Sequence, residues 1–117
     1  MAVRGDLADE AALAGALRAH RCSSVLHVAS PPAEGAQRKQ LEEGNVVGTA
    51  RVVAACLATG VRALVYTSSA SVVWAGAALN GVDERTPAPT VFRDAYAETK
   101  AKVRAGRREG VWVGGCG

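Results

Sequence analysis

Apolar positions along the chain fall into two kinds of run. Ser24-Val25-Leu26-His27-Val28-Ala29 and Val61-Arg62-Ala63-Leu64-Val65-Tyr66-Thr67 are short and nearly continuous. A strand of a parallel sheet covered on both faces has this pattern, because neither side of it meets water. The second kind is longer and helically spaced. From Asp9 to Ala19 the chain is rich in Ala and Leu, with Asp9 and Glu10 at the start and Arg18, His20 and Arg21 at the end. That polarity suits a helix macrodipole, and His20 reads as part of the basic end. From about Lys39 to Thr59, Val46, Ala50, Val53 and Leu57 recur at i, i+4, i+7 and i+11. This predicts an amphipathic helix ended by Gly60, with Cys56 as a small core residue.

The remaining stretches connect these elements. Val3 to Leu7 reads as the end of a strand followed by a turn. Ser30-Pro31-Pro32 stops the first apolar run, and Ala33 to Arg38 is a polar loop. Ser69 to Arg93 is long and irregular, punctuated by Gly76, Asn80-Gly81 and Pro87-Ala88-Pro89. Segments of this kind inside a compact domain are usually functional. A last helix begins near Phe92 to Asp94, with Asp94 placed to cap it. Strand and helix alternate, which predicts an α/β fold with right-handed crossovers and a doubly wound parallel sheet. Ligands of such sheets bind beyond the carboxyl ends of the strands. Asp6, His27 to Ser30 and Ser68 to Ser71 all fall there, on one rim. The domain is expected over residues 1–104. Residues 105–117 are glycine-rich and without period, so disorder is expected there, with Trp112 and Cys116 exposed.

Composition narrows the chemistry. The 117 residues suit one domain; 49% are hydrophobic but only 4% aromatic, so the core must be built from Ala, Val and Leu. The net charge of +3 is scattered, and Arg107-Arg108 is the only adjacent arginine pair, which argues against a nucleic-acid surface. Cys22, Cys56 and Cys116 are odd in number and form no CxxC pair, which argues against a disulfide scaffold or a metal site and for a reducing compartment. No apolar run approaches the roughly 18 residues of a membrane span. Arg4, Asp6, Asp9 and Glu10 do not make a secretion signal.

The candidate chemistry lies in Tyr96-Ala97-Glu98-Thr99-Lys100. Residues four apart share a helix face, so the Tyr96 hydroxyl and the Lys100 ammonium can enter one cleft. An adjacent ammonium favours the phenolate and makes a tyrosine a usable general base or acid. A serine from the tip of a neighbouring strand, in Thr67-Ser68-Ser69-Ala70-Ser71, would hold the reacting oxygen. The bland alternative is a packed tyrosine and a solvated lysine. For this composition a Tyr-Lys pair at that spacing arises by chance about 0.05 times per chain, so the surroundings of the pair decide the matter.

Those surroundings are Gly5-Asp6-Leu7, His27-Val28-Ala29-Ser30-Pro31-Pro32, Asn45-Val46-Val47-Gly48-Thr49, Thr67-Ser68-Ser69-Ala70-Ser71-Val72, and Asp83-Glu84 with Pro87. With the Tyr-Lys segment they resemble, in order and spacing over residues 3–104, the middle of an extended short-chain dehydrogenase/reductase. The likeness is to the 3β-hydroxysteroid dehydrogenase group, nearest to sterol-4α-carboxylate 3-dehydrogenases (decarboxylating). The resemblance implies a Rossmann-like fold, NAD (or NADP) as cofactor and a steroid or sterol as substrate. Asp6 and Leu7 would lie at the adenine, and Val28, Ala29 and Ser30 would pass their backbone beside the cofactor. Asn45 would brace the site from the long helix. Ser69 would hold the substrate oxygen and Tyr96 would exchange its proton. Lys100 would bind the nicotinamide ribose and, with the cation of an oxidised nicotinamide, favour the Tyr96 phenolate.

Several alternatives remain open at this point. Asp6 also suits a turn, Asn45 a structural role, and His27 a hydrogen-bonded strand end. Ser68 and Ser71 rival Ser69, Ser71 more closely because strand alternation would put it on the same face. The family's glycine-rich turn for the pyrophosphate does not precede Asp6, and its later strands and substrate lobe do not follow Val103. The chain is therefore expected to be a fragment, lacking the first βα unit and the C-terminal part, with an open sheet edge and impaired turnover. The resemblance further implies a homodimer and an intracellular, endoplasmic-reticulum association for full-length members. The competing readings are another extended reductase, acting on a flavonoid-like ketone or nucleotide sugar, and an inert fragment that acts only by association.

Overall fold

The computed structural model describes residues 2–105. Helix α1 (Glu10–Ala19) leads to strand β1 (Ser24–His27). A short helix α2 (Arg38–Leu41), a π turn (Glu42–Val47) and helix α3 (Gly48–Thr59) follow without a break. Strand β2 (Ala63–Tyr66), a 3₁₀ turn (Ala70–Val73) and helix α4 (Ala95–Ala105) complete the order. The two strands pair in parallel, with Ser24 opposite Ala63 and His27 opposite Tyr66. The register continues past the strand ends, since the Thr67 N–H donates to the His27 carbonyl at 3.0 Å.

The caps follow from the sequence. Asp9 accepts the Ala12 N–H at 2.9 Å and opens α1, and Asp94 accepts the Ala97 N–H at 2.7 Å and opens α4. Each satisfies an amide that the helix itself cannot. Gly60 closes α3 in the left-handed region at φ 73°, which only glycine adopts without cost.

The core lies where α1 and α3 pack together against one face of the sheet, around Leu17, Val52, Ala55, Cys56 and Leu64. As composition required, this cluster is aliphatic apart from one cysteine, and Tyr66 is the one aromatic among the buried hydrophobic residues described. The covered face carries Val25, His27, Leu64 and Tyr66, while Leu26 on the opposite face is 72% exposed. Among the described residues the sheet is thus clad on one side only, and its other face is open and apolar.

Three expectations are corrected. Val3 to Leu7 forms no strand among the described residues, while the turn expected after it is present, with the Asp9 N–H donating to the Asp6 carbonyl at 3.0 Å. The long helix contains the π turn, in which the Gly48 N–H reaches back to the Glu43 carbonyl. Its buried face is also not the predicted apolar stripe: Leu57 is 77% exposed and Ala50 is exposed. Leu41, Asn45, Gly48, Thr49, Val52, Ala55 and Cys56 are buried instead. Small and polar side chains line the packed face, and a count of apolar positions cannot see them. Helix α4 runs through Ala105; the expectations for Trp112, Cys116 and the rest of residues 106–117 lie outside the described residues.

Gly44 lies under Pro31, where an added Cβ would come 2.5 Å from the ring Cγ. Gly15, in the exposed middle of α1, has nothing within 4 Å of such a Cβ. Gly44→Ala is expected to cost about 1–3 kcal/mol and Gly15→Ala to add about 0.5–1 kcal/mol, both read from urea midpoints.

Candidate active site

The site is assembled where α4 crosses the π turn and the end of β2. Lys100 is 2% exposed, and its Nζ donates to the Thr67 carbonyl at 3.0 Å. The same nitrogen stands 4.8 Å from the centre of the Tyr66 ring and 5.7 Å from that of Tyr96. Tyr96 and Lys100 therefore do share one face of one helix, and the lysine is buried rather than solvated. Burial lowers the Lys100 pKa from its ordinary value.

A hydrogen-bonded chain fixes that helix to the rim. The Ser30 hydroxyl donates to Asn45 Oδ1 at 2.7 Å, and Asn45 Nδ2 donates to Thr99 Oγ1 at 3.0 Å. Thr99 in turn donates to the Tyr96 carbonyl at 2.9 Å. Asn45 is 1% exposed and Thr99 0%, so each polar atom here depends on the others. The π turn presents Asn45 to α4, and such turns recur at functional sites. On the outer face of α4, Glu98 pairs with Arg38 at 2.8 Å and with Lys102 at 3.2 Å, and Lys102 also bonds Glu42. Exposed pairs of this kind orient more than they stabilise.

Beneath the ammonium, His27 Nε2 bonds Thr49 Oγ1 at 2.8 Å and its ring lies 5.4 Å from that of Tyr66. Burial, and then the charge of Lys100, push the His27 pKa down to about 4, so the imidazole is neutral near pH 7. His27 is thus a bonded strand-end residue. Burial, together with the charge Tyr96 would carry as phenolate, raises the Tyr66 pKa.

The other expected residues are placed less tightly. β2 ends at Tyr66, so strand alternation does not govern the serines. Ser69 caps the 3₁₀ turn, accepting the Ser71 N–H at 3.2 Å, and its Oγ lies 2.8 Å from Ser71 Oγ. The turn, not a strand, makes them a pair. Val28, Ala29 and Ser30 are exposed beyond β1. Asp6 spends one oxygen on its own turn, accepting the Ala8 N–H at 2.9 Å, and stands apart from the network. Leu7 packs where a Cβ on Gly48 would come 3.3 Å from its Cδ1.

Sequence reasoning overlooked Thr99, the Thr67 carbonyl and Tyr66. Thr99 carried a usable signal, being a small hydroxyl residue three positions after Tyr96 on the same helix. The carbonyl carried none.

A family model for the 3-beta hydroxysteroid dehydrogenase/isomerase family matches residues 1–105. The chain belongs to this family. Among curated relatives it is 52% identical over 77 residues to a sterol-4-alpha-carboxylate 3-dehydrogenase (decarboxylating) of Schizosaccharomyces pombe, covering 66% of this chain and 22% of the relative. It is 40% identical over 98 residues to the Saccharomyces cerevisiae enzyme of that name, covering 84% and 28%. A 2-alkyl-3-oxoalkanoate reductase of Shewanella oneidensis is 39% identical over 99 residues, covering 85% and 25%. The chain thus spans only 22 to 28% of the length of these relatives. Among solved structures, a UDP-glucose-4-epimerase of Stenotrophomonas maltophila with bound NAD superimposes with a TM-score of 0.77 at 27% identity, covering 88% of this chain and 31% of that one. The Bordetella bronchiseptica enzyme WbmG superimposes at 0.80 with 18% identity, covering 97% and 36%, a likeness of fold. The Rossmann-like α/β expectation therefore holds, with this chain forming part of such a fold.

Two outcomes test the network. His27 has a folded pKa below its unfolded value, so the unfolded chain binds more protons between about pH 6.5 and 4. Stability is therefore fully present above that window and falls by about 3 kcal/mol as pH drops through it. His27→Gln should flatten that slope in denaturation curves taken across the range. Thr99→Val should cost about 1–3 kcal/mol by stranding the Asn45 amide, while Thr99→Ser should restore most of it in the same assay.

Proposed function

We propose that this chain carries the catalytic tyrosine-lysine part of an NAD-dependent oxidoreductase that oxidises the 3β-hydroxyl of a sterol bearing a neighbouring carboxylate. The observation that carries this is the seating of Lys100. Its ammonium has three N–H donors, and among the described residues one is spent on the Thr67 carbonyl, leaving two beside Tyr96 for a ligand. The family match and the curated sterol dehydrogenases support the substrate class.

The residues fit a nicotinamide nucleotide on the side they form. The Ser68 hydroxyl is buried at the end of β2 without a hydrogen-bond partner among the described residues, an arrangement a ligand's polar group would relieve. Lys100 would hold the ribose hydroxyls, the exposed backbone of Val28 to Ser30 would flank the nucleotide, and Asp6 has a carboxylate oxygen open for the adenosine side. The glycine-rich pyrophosphate turn is not among these residues. When bound, NAD supplies the hydride acceptor.

On that reading Ser69, paired with Ser71, holds the substrate oxygen, and Tyr96 accepts the hydroxyl proton as the carbinol hydrogen departs as hydride. Lys100 stands on the same helix face, its Nζ 5.7 Å from the centre of the Tyr96 ring. The 3-ketone so formed lies β to the carboxylate, and the C–C bond can then break with its electron pair passing into the enolate. A second reading, reduction of a β-keto acid, is favoured by the identity to the 2-alkyl-3-oxoalkanoate reductase and uses the same groups in reverse.

A thermal-shift titration with NAD and with NADP should raise the melting temperature by several degrees with NAD. Tyr96→Phe should keep that shift and lower 3β-hydroxysterol turnover at least 100-fold, about the contribution of a general acid-base group. A cooperative melt that NAD leaves unmoved would refute cofactor binding by this chain, and turnover of the 3-oxoalkanoate but not the sterol would favour the second reading.

A further inference from the structure

Lys100 is a buried cation, and buried cations ordinarily sit against a carboxylate. None of the ion pairs among the described residues includes it. The groups that face it are His27 from β1, Tyr66 from β2 and Tyr96 on its own helix. His27 is neutral and offers no compensation. One carbonyl, that of Thr67, takes one N–H. Two aromatic rings stand against the charge, and the nearer is that of Tyr66 at 4.8 Å. That ring is itself buried and lies against His27, whose far nitrogen is tied to Thr49.

We propose that Tyr66 is a positioning residue for Lys100: the face of its ring is the seat of the ammonium and sets the direction of the two remaining N–H groups. A ring face carries partial negative charge, and a desolvated cation gains more from it than a solvated one. Thr67 and Tyr66 are consecutive, so the end of one strand supplies both the carbonyl and the seat. His27 and Thr49 act through the ring, holding its tilt. The use of the two N–H groups for a ribose rests on the oxidoreductase reading above; the seat itself does not.

The test uses the whole chain labelled with carbon-13 at lysine Cε. Lys39, Lys100 and Lys102 are its three lysines, so the Lys100 signal is assigned by its loss in Lys100→Met. Tyr66→Phe should leave the Lys100 titration midpoint unchanged, because the ring face persists. Tyr66→Leu should lower it by about one pH unit, the worth of a desolvated cation-π contact. Where Tyr66→Leu does not fold, difluoro- and pentafluoro-phenylalanine at position 66 keep the shape while draining the ring face, and the midpoint should fall in that order. An unmoved midpoint in the leucine or fluorinated series overturns the proposal, as does a Phe variant that falls as far as Leu. An NAD titration of the same proteins separates the two readings: a moving midpoint with no NAD binding in any of them keeps the seat and removes the cofactor.

Discussion

An ammonium held out of water without a carboxylate is the constraint to which the rest of this structure answers. Such a charge is stable only where fixed dipoles and polarisable surface replace its hydration. Meeting that need demands that β2 end where it does, so that the Thr67 carbonyl is free of the sheet ladder and turned to α4. It demands that α4 approach closely, which small residues on its inner face, Ala97 and Ala101, permit. It also demands a neutral His27, since a second cation under the first would undo both. The pairing of β1 with β2 puts His27 beside Tyr66 and so binds this demand to the sheet itself.

Much of this was legible in the residues. Alternating apolar runs pointed to the parallel α/β order, and the acids at Asp9 and Asp94 marked helix starts that the structure keeps. The Tyr96-Lys100 spacing placed both groups on one face because helical geometry leaves no choice. Asn45 and Thr99 were harder: a polar residue on a predicted helix says nothing of its partner, and their bond joins positions 54 residues apart. The predicted stripe through Leu57 failed for the related reason that packing here selects for small size. The strand expected at Val3 to Leu7 depended on a neighbour that no local pattern specifies. Ser69 and Ser71, read as rivals on one strand face, are instead brought together by a turn, with their Oγ atoms 2.8 Å apart.

The family relationship and the site geometry support each other at the same residues. The matched region ends at residue 105, the last residue of α4, so it contains the whole Tyr-Lys helix and the elements that hold it. The open face around Leu26 lies opposite this site, so the Tyr-Lys helix is held entirely from the covered side of the sheet.

The π turn has a further consequence for how the long helix works as a mechanical part. Each residue advances a helix by about 100°, so one residue more or less changes the phase of everything beyond it. The helix serves two customers: the wide turn itself faces α4 through Asn45, and the α-helical part beyond it faces α1 and the sheet through Val52, Ala55 and Cys56. The turn is a phase adjuster that lets both stretches be in register at once. A change of one residue at positions 42–47 would therefore alter the width of the turn before it rotated Thr49 away from His27.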